Sequence, residues 1–178
     1  MLKIIKAFLL AFVGYLFQVC VMPYLTIASI SPNLIIGIIS VLVVAYGPFY
    51  AFGAGAVCGI LMEIMVSSID FLYLIIYPVL AFLGSIAFAD KSERKLEQER
   101  SMGKSARNLN PILRTICCSA MNITIYEAVN LIYVYLTGVD WTFNHLSRAL
   151  ISIVYCVAIT MVIMIPLRRF LGIKHRDH

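Results

Sequence analysis

Two carboxylates, Glu63 and Glu127, stand inside long apolar runs of this sequence. Acids in such runs are costly in lipid, so they face a bundle interior or water and mark packing, binding or relay sites. Glu127 belongs to a stripe with Ser119, Asn122, Tyr126 and Asn130, three to four residues apart, which puts these polar groups along one side of a helix. Structural polar contacts, a partner-binding surface and coordination of an ion or ligand all fit such a stripe. Arg148 is the one basic residue between Arg114 and Arg168. Its stem extends about 6 Å and could bring the guanidinium to Glu127, with Asn130 adding a hydrogen bond. The expectation is a Glu127–Arg148 pair.

Glu63 ends a different pattern. Ala51, Gly55 and Gly59 recur every four residues, with Gly53 and Ala56 nearby, and Glu63 continues the row. Small residues at this spacing make a flat helix face that a neighbouring backbone can approach closely. Helix packing is the first reading of the row, and a partner-facing surface served by Glu63 is the second. A phosphate-binding glycine loop would follow a strand, and no strand pattern precedes these glycines.

Other reactive types lack a frame. Asp140, His145 and Ser147 are close in sequence, but no nucleophile motif surrounds them, and His145 reads as a loop residue. His175 and His178 share a polar tail with no further ligand. The five cysteines lie in apolar runs without a C-x-x-C pair, as small hydrophobes do. No catalytic residue, metal ligand or cofactor site is expected, and the chain reads as a non-enzyme.

The elements that must position these residues are membrane helices. Hydrophobic residues make up 62% of the 178 and charged residues 13%, against about 45–50% and about 25% in soluble domains. A chain this small cannot hide that much apolar surface without lipid. The net charge of +5 is clustered beside apolar runs, which is the pattern of membrane topology rather than of nucleic-acid binding. The apolar runs give six helices, at about 4–22, 32–46, 49–66, 71–88, 111–136 and 146–165. Ser31 is the expected N-cap of the second, with Pro32 at its first position. At 15 residues the second is short, so tilt, local thinning or burial inside the bundle is expected. Pro78 should kink the fourth, and Pro166 should end the sixth. The first run is expected to be a retained helix rather than a cleaved signal.

The fold class is therefore all-α: a single polytopic transmembrane domain over 1–178, with a loop at about 90–110 and a tail at about 167–178. That loop carries six basic side chains. With six spans it lies on the same side as Lys3, Lys6 and the basic tail, so both termini and the loop are expected in the cytoplasm. By the helical rise Glu63 and Glu127 then lie about 21 and about 22 Å in, towards the outer face.

The stretch Ser31-Pro32-Asn33 opening an apolar helix, Gly47 at its end, and a glycine-rich helix closing with Gly59-Ile60-Leu61-Met62-Glu63 resembles the rod-shape-determining protein MreD family. The likeness covers about a third of the chain, roughly Ser29 to Asp90. Glu63 stands where that family usually has aspartate, and the glycine that often follows is missing near Asp70-Phe71-Leu72. The resemblance implies a multi-pass protein of the bacterial cytoplasmic membrane that takes part in cell-wall elongation. Implied partners are an MreC-like single-span protein and, directly or through it, an MreB-like filament, a RodA-like glycosyltransferase and the elongation transpeptidase. It also implies a fold like the substrate-binding subunit of energy-coupling-factor vitamin transporters. Such a transporter subunit is the alternative function. Its pocket could draw on Glu63, Glu127, Asn130 and Trp141.

Overall fold

A computed structural model describes residues 2–27, 30–65, 71–88, 101–102, 110–138 and 143–171. These residues form six α-helices: α1 (Leu2–Cys20), α2 (Leu34–Tyr46), α3 (Pro48–Met65), α4 (Leu72–Phe88), α5 (Pro111–Leu136) and α6 (Phe143–Leu171). A 3-10 turn, Met22–Leu25, follows α1. The helices α1, α3, α5 and α6 are long and apolar enough to cross a membrane, while α2 and α4 are shorter apolar helices. Phenylalanines, leucines and isoleucines lie exposed along α1, α3, α4 and α6, a surface suited to lipid. The chain is an all-helical membrane protein.

The shortest helix is the centre of the bundle. Every residue of α2 from Leu34 to Val44 is buried, and α2 packs against each of the other five helices. Its neighbours form a sequence of contacts, α1 on α3, α3 on α4, α4 on α5 and α5 on α6. Lys6 Nζ of α1 donates to Phe170 O of α6 at 3.3 Å, and Tyr155 Oη of α6 donates to Leu25 O of the 3-10 turn at 2.6 Å. A helix apolar on all sides is stable only when buried all round, and α2 has no charged residue at all. The burial expected for this short helix is what the structure shows.

Three boundaries differ from the sequence reading. The N-cap of α2 is Asn33, not Ser31, and Pro32 precedes the helix. The reason is local: Asn33 Oδ1 accepts from Ile36 N at 3.4 Å, and Gln18 Oε1 from α1 accepts from Leu34 N at 2.7 Å. Two orphan N–H groups of the first turn are thus satisfied. Next, α6 begins at Phe143, so His145 is helical rather than in a loop. Finally, α6 runs through Pro166 to Leu171. Proline removes one backbone donor, but Pro166 is exposed. Beyond it, Lys6 and Tyr46 take the last carbonyls, Phe170 O and Leu171 O. Arg168 and Arg169 in that turn also favour the negative end of the helix.

The glycine row behaves as its spacing implies. A Cβ on Gly55 would stand 3.0 Å from Tyr77 O, and one on Gly59 would stand 2.7 Å from Tyr73 O. Both glycines therefore let α3 press on the backbone of α4, and the row is spent inside the bundle. Gly37 of α2 is equally tight, because a Cβ there would meet Thr160 Oγ1 at 2.7 Å. Gly47, with φ +89°, ends α2 in a conformation that glycine adopts without strain.

Polar side chains join the helices in the interior. Asn122 Nδ2 donates to Ser40 Oγ at 3.2 Å, linking α5 to α2, and Ser119 Oγ and Thr160 Oγ1 are 3.0 Å apart, linking α5 to α6. In lipid such bonds contribute on average about 0.6 kcal/mol each. The α5 stripe thus acts as polar glue along its inner half.

Candidate functional site

The helix α2 spans only about 20 Å by its rise, less than the hydrocarbon thickness of about 30 Å. Beside its N-terminus a cavity of about 300 Å³ opens within the bundle. This end lies opposite the one where Lys6 of α1 meets Phe170 of α6. The cavity is lined by Gln18 of α1, Asn33, Tyr73 and Tyr77 of α4, Glu127 of α5 and Ser152 of α6, among others.

Asn33 ties three helices together beside the cavity. Its Oδ1 caps α2, its Nδ2 donates to Tyr77 Oη at 3.1 Å, and its backbone N–H donates to Cys156 Sγ at 3.2 Å. Pro32 is fully buried, and its carbonyl accepts from Gln18 Nε2 at 3.2 Å. Tyr73 and Tyr77, one turn apart, stack with ring centroids at 5.8 Å. Tyr126 lies beside both rings and beside Asn130.

Glu127 is placed as expected, at an interior surface, but its partner differs. Ser152 Oγ donates to Glu127 Oε1 at 2.6 Å. Ser152 is buried, whereas Arg148, one turn earlier on α6, is exposed. The two share a side of α6, and Ser152 has the depth that matches Glu127. The expected Glu127–Arg148 pair is replaced by a Glu127–Ser152 hydrogen bond.

Glu63 does not line the cavity. Its Oε1 accepts from Phe71 N at 2.6 Å and its Oε2 from Tyr73 N at 3.2 Å. A carboxylate at a helix N-terminus satisfies orphan donors and meets the positive end of the dipole. Glu63 is therefore the cap of α4. At the other end of α4, Arg114 of α5, itself buried, donates from Nε and Nη to Phe88 O. The short helix α4 is held at both ends by opposite charges from its neighbours.

Phe71 has φ +63°, a left-handed conformation that disfavours side chains. The 2.6 Å bond to Glu63 holds it there. Phe71→Gly removes strain of roughly 1–2 kcal/mol against a glycine entropy cost of roughly 0.5–1 kcal/mol. The expected result in detergent thermal unfolding is unchanged or raised stability, although a large aromatic is removed. A loss of more than about 1 kcal/mol would show that the ring packs usefully.

Gln18, Tyr73, Tyr77, Arg114 and Ser152 are site or capping residues that sequence reasoning missed. Their signals lie in different helices and converge only in three dimensions. Trp141, Asp140, Asp70, His175 and His178 lie outside the described residues. Among the described residues no group of three His, Cys, Asp or Glu side chains could hold a metal. Cys58, Cys118 and Cys156 are buried, while Cys20 and Cys117 are exposed. No protein-family model, curated protein or solved structure matches the chain.

Proposed function

We propose that the chain is a non-enzymatic component of the bacterial cell-wall elongation machinery. In this reading it crosses the cytoplasmic membrane six times with both termini in the cytoplasm, and it binds an MreC-like partner and wall-synthesis proteins. The observation that carries the reading is the use of the residues behind the MreD resemblance. Asn33 caps α2 and joins it to α4 and α6, and Glu63 caps α4. These side chains fix the shape of a bundle, as a scaffold requires. The basic residues support the orientation: Lys3, Lys6, Arg114, Arg168 and Arg169 share one end of the bundle, and the cavity then faces outward.

A second reading, a substrate-binding subunit of a vitamin transporter, is favoured by the cavity. Against it stands the glycine row. A small-residue surface for a transport partner would have to be open, and Gly55 and Gly59 are occupied by α4. Depletion in a rod-shaped host separates the two. Round, wide cells are expected from the first reading. Normal rods with defective vitamin uptake would replace it with the second.

A further inference from the structure

Glu127 contributes one carboxylate to the cavity. Its Oε1 is held by Ser152, and Oε2 has no hydrogen-bond partner among the described residues. Tyr73 and Tyr126 line the same space, with Tyr77 stacked on Tyr73. No Lys, Arg or His is among the lining residues. An anionic ligand would meet Glu127 without a counter-charge. A purely apolar ligand would leave Glu127 Oε2 facing it with nothing to bond. A cation suits the carboxylate, and the electron-rich rings of Tyr73 and Tyr126 border the same space. The one opposing feature is the positive end of α2. Its first turn is already engaged by Gln18 Oε1 and Asn33 Oδ1, and a helix end carries only about half a charge.

We propose that this cavity binds a small ammonium group, supplied either by a free amine or by the headgroup of an aminophospholipid. Glu127 is the counter-ion, held in position by Ser152, and the tyrosines enclose the group. The volume of about 300 Å³ suits a compact ligand or a headgroup. The proposal stands apart from the scaffold reading, since a bound headgroup or amine is compatible with either function.

The test uses the full chain, purified and delipidated in a neutral maltoside detergent. Binding of radiolabelled choline is measured by equilibrium dialysis, with 3,3-dimethylbutan-1-ol, the uncharged analogue of the same shape, as competitor. Choline is expected to bind roughly tenfold or more tightly than the alcohol. Glu127→Gln should erase that preference, and Ser152→Ala, which keeps the carboxylate, should weaken it. The wild-type preference alone decides the matter should Glu127→Gln misfold. The source is separated by repeating the measurement in nanodiscs. Choline binding that persists in phosphatidylethanolamine discs assigns the site to a free amine. Choline binding lost in phosphatidylethanolamine discs but kept in phosphatidylglycerol discs assigns it to the lipid headgroup. Absence of choline binding in delipidated protein, or equal affinity for choline and the alcohol, overturns the proposal.

Discussion

Gly59→Leu is expected to lower the stability of the purified protein by about 3 kcal/mol or more, the upper range of overpacking effects. A Cβ alone would stand 2.7 Å from Tyr73 O and 3.1 Å from Leu74 Cα. Both are backbone atoms, so no side-chain rotation relieves the clash, and three further carbons must push α3 and α4 apart. The separation would also stretch the Glu63 bonds to Phe71 and Tyr73, since they cross the same interface. Gly53→Leu is the matched control, because nothing lies within 4 Å of its Cβ position. Gly37→Leu fails as a control: the tight contact with Thr160 predicts damage there too. Thermal unfolding followed by size-exclusion fluorescence checks this. Similar midpoints for Gly59→Leu and Gly53→Leu would refute the close α3–α4 contact.

Glu63→Ala is expected to cost about 2–3 kcal/mol. The carboxylate accepts two backbone hydrogen bonds at the start of α4, and bonds to charged groups contribute about 1.5–3 kcal/mol, a cap typically about 1 kcal/mol. Glu63→Gln keeps one acceptor and should lose less. Glu63→Asp, one methylene shorter, should keep the charge near the helix end and lose one of the two bonds. The order of thermal midpoints should be wild type first, Gln and Asp intermediate, and Ala last. A Glu63→Ala protein as stable as wild type would show that α4 needs no cap, and that the acid serves something other than the fold.

Much of the architecture was legible because lipid makes its demands locally. Each helix must satisfy its own backbone and expose apolar side chains, so the six helices among the described residues follow from apolar runs. The burial of α2 could be suspected from its length and lack of charge. The close face of α3 follows from four-residue spacing alone, but spacing does not say which neighbour uses it, and α4 proved to be that neighbour. The extension of α6 past Pro166 was hidden because the groups that take its last carbonyls come from Lys6 and Tyr46, far away in sequence. The cavity was hidden for the same reason. Glu127 stood out as an acid in an apolar run, yet Ser152 looks like any small helix residue, and Tyr73 and Tyr77 look like ordinary core. Arg114 reads as the edge of a basic loop until its bonds to Phe88 are seen.

Capture of the tagged full-length chain from its membrane in mild detergent, followed by mass spectrometry, bears directly on the proposed function. An unrelated tagged membrane protein of similar abundance sets the background. The expected result is recovery of an MreC-like single-span protein together with a RodA-like glycosyltransferase or the elongation transpeptidase, well above that background. Recovery of a pair of ATPases, with the wall-synthesis proteins at background, would contradict it.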